Sequence, residues 1–185
     1  MAKDIIAECI DDQSIILKLK ERFENTNDEG ERQKIHNTIV REMSIHIYCK
    51  EVNLYPLFEK HLPDGKSICE KCRQGNLEIK KELAKLDGMK VSDDGYITLF
   101  HKIMDLFKSQ VDESQGKVFP KFKEAITPDI IKEEGAKYVS SRSLAPTHPH
   151  PDAPSKPMKE TVAAIVTAPV DKARDIPREF VDTGR

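Results

Sequence analysis

Apolar residues recur at the spacing of an amphipathic α-helix along four long segments of the chain. The segments cover about residues 4–25, 31–61, 66–86 and 94–125, and turn signals rich in glycine, proline and asparagine separate them. A shorter segment, to about residue 141, opens at Thr127 as the expected N-cap and Pro128 as the first helical residue. Short connections favour antiparallel neighbours. The pattern therefore predicts an all-α, up-down-up-down four-helix bundle followed by a short fifth helix.

Two of the long segments contain an internal proline. Tyr55-Pro56 lies in the second segment and Phe119-Pro120 occupies a matching place in the fourth. Proline lacks the backbone N–H donor and its ring collides with the preceding turn, so a kink is expected at both places.

The character of the chain changes at Leu144. Residues 144–157 are too rich in proline for a helix or a sheet, which predicts an extended, polyproline-like strap. Residues 159–172 could form one more short helix, and the tail beyond them is expected to be weakly ordered. The interpretation is a bundle domain over residues 1–143 and a proline-rich strap and tail over residues 144–185. His148 and His150 in the strap are interpreted as solvated residues rather than metal ligands.

Polar side chains interrupt the apolar stripe of every long helix near its middle. With antiparallel helices, these interruptions and the small residues beside them fall at two adjacent levels of the bundle. The first level contains Gln13, His46, Asn76 and Gln110, and the second contains Cys9, Lys50, Cys72 and Ser114. Buried polar groups are unfavourable unless they have partners, so the coincidence predicts one shared polar site. A structural hydrogen-bond network or a wet cavity is the alternative.

Charge and composition exclude several classes of partner. The net charge is −2 and the isoelectric point is about 6.3, which gives no field that favours nucleic acid or an anionic membrane. No apolar run approaches the roughly 20 residues of a membrane span. The first residues enter a helical pattern with no secretory signal, so we expect a cytoplasmic protein with reduced cysteines. Cys9, Cys49 and Cys72 could join His46 in a metal site, although small buried thiols are the simpler interpretation.

Several segments resemble the hemerythrin-like (HHE) proteins, particularly those of fungi. The segments that show the resemblance are DIIAECIDDQ in the first helix, REMSIHIYCKEVNLYPLFEKHLPDG in the second, VDESQGKVFPKF in the fourth and LAPTHPHPDAPSKP in the strap. The resemblance covers about residues 4–175. It implies a bundle core that holds two irons, through one histidine from each of the first and third helices and a His-x-x-x-Glu pair from each of the other two.

The chain departs from that ligand pattern at five of the six positions. Matched to the family, only His46 is retained, and the other positions carry Gln13, Lys50, Asn76, Gln110 and Ser114. Neutral amides are poor ligands for iron, and a lysine brings positive charge to a site meant for cations. Oxygen binding or di-iron oxidation is therefore not expected.

The replacements are polar rather than apolar, which favours a metal-free small-molecule pocket without a cofactor. The hypothesis assigns acid–base chemistry to His46 and Lys50. It assigns ligand contacts to Gln13, Asn76, Gln110, Ser114, Cys9 and Cys72. The reaction, if there is one, would be a non-redox isomerisation, cyclisation, dehydration or lyase cleavage in specialised metabolism. A non-catalytic ligand-binding or interaction protein and a residual cation-binding protein remain as alternatives, and the sequence does not indicate an oligomeric state.

Overall fold

The computed structural model describes residues 3–153 and 167–184, and its regular elements are helical. The long helices are α1 (Ile5–Asn25), α2 (Glu29–Cys49), α4 (Gly65–Asp87) and α5 (Tyr96–Glu113). A five-residue π-helical turn, Lys50–Leu54, joins α2 to α3 (Tyr55–His61), and a second, Ser114–Val118, joins α5 to α6 (Phe119–Ala125). Helix α7 (Pro128–Ser141) runs into a short 3-10 turn, Arg142–Leu144.

Paired contacts show that sequential helices run in opposite directions. Between α1 and α2, Arg22 bonds to Glu31 near the connection, whereas Asp12 lies beside His46 farther along both helices. The other long pair, α4 and α5, shows the same reversal of order in its ion pairs Lys102–Glu82 and Lys71–Glu113. The predicted all-α bundle of antiparallel helices is therefore confirmed.

Local residues explain where the helices begin. Asp4 accepts a hydrogen bond from the Ala7 N–H at 2.8 Å, and Asp28 accepts one from the Glu31 N–H at 2.6 Å. Both carboxylates therefore cap an N-terminus. Helix α7 begins at Pro128 as predicted, but the side chain of Thr127 makes no capping hydrogen bond. At Gly65 an added Cβ would lie 2.0 Å from the carbonyl oxygen of Phe58, so the tight turn between α3 and α4 requires glycine there.

The two predicted kinks are π-helical turns. The backbone N–H of Tyr55 bonds to the carbonyl of Lys50, and the N–H of Phe119 bonds to the carbonyl of Ser114. Each of these i→i−5 bonds directly precedes a proline, which cannot continue the normal helical ladder. One extra residue in the turn rotates the next helical segment around the helix axis. Both turns begin at a predicted site residue.

The apolar core forms two clusters that meet at the polar level of the bundle. One cluster contains Ile5, Ile6, Tyr55 and Phe58, and the other contains Ile16, Phe23, Ile79 and Phe100. Along α1, Gln13 lies between residues of the first cluster and residues of the second. Asn76 has the same position between Cys69 and Ile79 on α4. The predicted site residues therefore occupy the boundary between two cores.

The C-terminal segment packs against the bundle, which corrects the prediction of a solvated strap and a weakly ordered tail. His148 is 1% exposed, with its ring between Asp87 and Asp175. Residues 167–175 are helical, and the extended residues after them contact α2, where the N–H of Val181 donates to Thr38 Oγ1 at 3.0 Å. The strap residues 154–157 and the first part of the predicted last helix, residues 159–166, lie outside the described residues. In the part of the chain that the structure describes, no helix is long and apolar enough to span a membrane.

Candidate functional site

Lys50 is the central group of the polar site. It opens the first π-helical turn and is only 7% exposed. Its Nζ donates to Gln110 Oε1 at 3.2 Å and to Asn76 Oδ1 at 3.4 Å. Three of the predicted site residues, from three different helical segments, therefore meet around one ammonium group.

Asn76 connects Lys50 to a second set of buried polar groups. Its amide nitrogen donates to Glu51 Oε1 and to the Tyr55 hydroxyl, both at 2.9 Å. Lys80 lies 2.6 Å from the other carboxylate oxygen of Glu51. Burial raises the pKa of Tyr55 well above its usual range, so its hydroxyl stays protonated. Asn76 is thereby held with its carbonyl toward Lys50.

Gln13 and Ser114 form another part of the site. Gln13 Nε2 donates to Ser114 Oγ at 3.2 Å, and Gln13 Oε1 accepts from Gln115 Nε2 at 2.8 Å. The Ser114 hydroxyl donates to the Val111 carbonyl at 2.9 Å. The amide of Gln13 is thus tied to the second π-helical turn.

His46 belongs to a different cluster from Lys50. Its Nδ1 lies 3.5 Å from Asp12 Oδ2, which accepts a hydrogen bond from the Tyr138 hydroxyl at 2.8 Å. Arg142 bonds the other oxygen of Asp12 at 2.6 Å. His46 also packs edge-on against Phe107, with ring centroids 5.7 Å apart. The predicted acid–base pair therefore occupies two neighbouring environments rather than one.

The two predicted cysteines differ in exposure. Cys9 is fully buried, and burial raises the pKa of its thiol to about 12. Burial also raises the pKa of the half-buried Cys72, although the charge of Lys50 acts in the opposite direction. Protonated thiols are weak nucleophiles and weak metal ligands. Cys9 is therefore a core residue, while Cys72 lies on the wall of a cavity.

This cavity, of about 200 Å³, opens beside Lys50, between α4 and the helices on either side of the second π-helical turn. Among the predicted site residues, Lys50, Cys72, Gln110 and Ser114 line it, whereas Gln13, His46, Asn76 and Cys9 do not. Its apolar walls include Leu54, Phe58, Leu106, Val118 and Phe119. An apolar cavity with a few convergent polar groups is typical of a small-molecule site.

Sequence reasoning missed five residues of the two buried clusters, namely Asp12, Tyr55, Lys80, Tyr138 and Arg142. The spacing of residues along the helices could have revealed some of them. Lys80 follows Asn76 by four residues and Tyr55 follows Glu51 by four, so each pair shares a face. Tyr138 and Arg142 come from α7 and the 3-10 turn after it, and no pattern within a four-helix bundle pointed to them.

The donors in the core do not fit a di-iron centre. Lys50 stands where the family resemblance implies a carboxylate, and its ammonium occupies the oxygens of the neighbouring amides. The buried carboxylates of Asp12 and Glu51 are already bonded to Arg142 and Lys80. Within residues 3–153 and 167–184, no group of three or more His, Cys, Asp or Glu side chains is arranged to hold a metal ion. Cys9, Cys49, Cys72 and His46, which the sequence suggested as a possible metal site, form no such group.

Comparison with known proteins identifies the relationship. No family model matches the chain and no solved structure matches it. An uncharacterized hemerythrin-like protein of Schizosaccharomyces pombe is 31% identical over 163 residues, which cover 86% of this chain and 80% of the yeast protein. Since that identity extends over most of both chains and the fold is an all-α bundle, the chain belongs to the hemerythrin-like family.

Proposed function

We propose that this chain is a hemerythrin-like protein whose core binds a small organic molecule instead of metal. The observation that carries the proposal is the position of Lys50. A buried ammonium lies among neutral amides, at a position that the family resemblance assigns to a metal ligand, and it lines a cavity of about 200 Å³. A site that had merely lost its metal could be filled by apolar side chains, since polar groups without a role are unfavourable in a core.

The chemistry that these groups support is non-redox acid–base catalysis. The Lys50 ammonium can donate a hydrogen bond or a proton to a carbonyl oxygen on which negative charge develops, which assists isomerisation, cyclisation, dehydration or lyase cleavage. Gln110 and Ser114 would orient the substrate from the cavity wall. His46 does not line the cavity, so we assign it a positioning role, held by Asp12 and Tyr138. Four free cysteines support a cytoplasmic location.

Metal analysis tests the first half of the proposal. The purified chain is incubated with Fe(II) under anaerobic conditions, desalted and analysed for iron. We expect far less than one iron per chain and no oxo-bridge absorption band, because Lys50 repels cations and the amides are poor ligands. Two tightly held irons per chain would restore the family's usual chemistry and overturn the proposal.

A metabolite screen tests the second half. Nuclear magnetic resonance is used to detect compounds that perturb cavity residues such as Cys72 and Leu106, and each hit is then assayed for conversion to a product. We expect hits whose binding or turnover is lost in Lys50→Met while the bundle stays folded. Turnover in His46→Phe should fall with less effect on binding. Full activity in both variants would remove these residues from the site and favour an interaction protein.

A further inference from the structure

Within the part of the chain that the structure describes, Lys50 is a buried cation without a counter-ion. Its two hydrogen-bond acceptors are neutral amide oxygens at 3.2 and 3.4 Å. In the described residues, no carboxylate lies within ion-pair distance of its Nζ. The acids closest along the chain and at the cavity mouth are already paired, Glu51 with Lys80 and Glu113 with Lys71, each at 2.6 Å. A buried charge without a partner is strongly unfavourable, so the site is electrostatically incomplete.

The cavity beside this ammonium selects for size and polarity. Its volume is about 200 Å³, and most of the wall is aliphatic or aromatic. A dry apolar cavity of about 150 Å³ in another protein accommodates benzene, which sets the scale. The space at Lys50 therefore suits one ring, or an equivalent branched chain, together with one small polar group. The exposed ion pair between Lys71 and Glu113 at the mouth adds no net charge.

We infer that the ligand of this cavity is a small organic monoanion, a monocarboxylate whose apolar body is one ring or a short branched chain. Its carboxylate would pair with Lys50 and accept hydrogen bonds from it, while Gln110 and Ser114 lie on the same wall. Its body would contact Leu54, Phe58 and Phe119. A dianion would leave one charge uncompensated, and a cation would face Lys50 directly. This inference rests on the proposed function, because it names the ligand class of the same site.

The test compares three ligands of nearly the same shape. Phenylacetate, its neutral isostere phenylacetamide and the cation phenethylammonium are titrated calorimetrically into the full chain at pH 7. Wild type is compared with Lys50→Met and with Lys108→Met, which alters an exposed lysine paired to Asp112 outside the cavity. We expect phenylacetate to bind about tenfold more tightly than the amide or better, equivalent to about 1.4 kcal/mol, in wild type and in Lys108→Met. Lys50→Met should abolish that preference.

The outcomes separate the inference from the proposed function. If the amide binds as tightly as the carboxylate, and the cavity-filling variant Leu106→Trp removes both, the monoanion is wrong while the pocket stands. A carboxylate preference that survives Lys50→Met also overturns the inference. If none of the three ligands binds and the metabolite screen finds no hit, both statements fail. The comparison of ligands on wild type decides the question even if Lys50→Met does not fold.

Discussion

Two lysines in the core have opposite electrostatic surroundings. Among the residues that the structure describes, Lys50 has only neutral hydrogen-bond acceptors, at 3.2 Å or more. Lys80 lies 2.6 Å from Glu51, and their side chains are 11% and 1% exposed. Removing one partner of a buried ion pair strands the other charge, whereas removing an uncompensated charge relieves the core. The same substitution at the two positions should therefore have effects of opposite sign.

Thermal melts of Lys50→Met and Lys80→Met test this contrast. Methionine keeps most of the lysine volume and removes the charge. We expect the melting temperature of Lys50→Met to be unchanged or higher. In Lys80→Met the free energy of unfolding should fall by roughly 3 kcal/mol, because Glu51 is left buried without its cation. A large destabilisation in Lys50→Met would mean that Lys50 is a structural residue rather than a ligand-binding one.

His36 makes the stability of the fold sensitive to pH. Its ring is 1% exposed and its Nδ1 lies 3.0 Å from the Tyr96 hydroxyl. Burial lowers the pKa of His36 from 6.5 to about 4, against the opposing charge of Asp87. The unfolded chain therefore binds a proton between these two pH values and the folded chain does not. Stability due to neutral His36 is complete above pH 6.5 and is lost as the pH falls toward 4.

Denaturant unfolding of wild type and His36→Gln at several pH values measures this contribution. Glutamine can still bond to Tyr96 and does not titrate in this range. Between pH 6.5 and 4, wild type should lose on the order of 3 kcal/mol more than the variant. His101→Gln, which alters a half-exposed histidine on α5, is the control and should follow wild type. Parallel pH curves for wild type and His36→Gln would contradict a buried neutral histidine.

At the scale of elements, the sequence predicted the helices well and the rotation within them poorly. Apolar periodicity placed the four long helices, and proline placed both distortions. On a regular helical wheel, Glu51 lies outside the stripe of residues that faces the bundle core. The π-helical turn that begins at Lys50 adds a residue, and Glu51 is fully buried. Which distortion a proline causes depends on the packing around it, and that information is not local to the sequence.

The site was predictable in part for the same reason. Lys50 contacts Asn76 and Gln110, and Gln13 contacts Ser114, so these hydrogen bonds join the two adjacent levels that the sequence suggested rather than running within one level. The separate cluster around His46 was not predictable, because Asp12 is bonded by Tyr138 of α7 and by Arg142 of the turn after it, more than a hundred residues along the chain. Burial of His148 in the strap depends in the same way on distant carboxylates.

The register of the helices can be tested by rebuilding the implied metal site. The five substitutions Gln13→His, Lys50→Glu, Asn76→His, Gln110→His and Ser114→Glu together restore the six positions of the family pattern. We expect the folded variant to bind iron, measured by elemental analysis and optical absorption, because its donors become histidines and carboxylates. A matched variant that keeps Lys50 should bind much less. Failure of the folded fivefold variant to bind iron would show that the assigned register is wrong.

At the scale of the whole molecule, the C-terminal segment is attached to the α2–α4 face at the end of the bundle where α2 begins and α4 ends. His148 and Arg178 bond to Asp87, at the end of α4, at 2.7 and 2.6 Å. Farther on, Asn37 Nδ2 donates to the Glu179 carbonyl at 2.9 Å. We therefore propose that these contacts hold the segment after residue 143 against the bundle, residues 1–143. Asp87 is the carboxylate on which two of these attachments converge.

Replacing Asp87 with asparagine should release the C-terminal segment from the bundle. Burial raises the pKa of Asp87, but hydrogen bonds from His148 and Arg178 outweigh it and lower the pKa from 3.8 to about 2. The ionised carboxylate therefore stabilises the fold above pH 3.8, and this stability is lost as the pH falls toward 2. In Asp87→Asn at pH 7, amide hydrogen exchange in residues 176–184 should be about tenfold faster or more, because His148, Arg174 and Arg178 lose their shared carboxylate partner. Asp64→Asn, which weakens an exposed contact with Lys121 at the other end of α4, should leave that exchange unchanged. Equal protection in Asp87→Asn and wild type would mean that apolar packing around Val181, rather than this ionic junction, holds the segment in place.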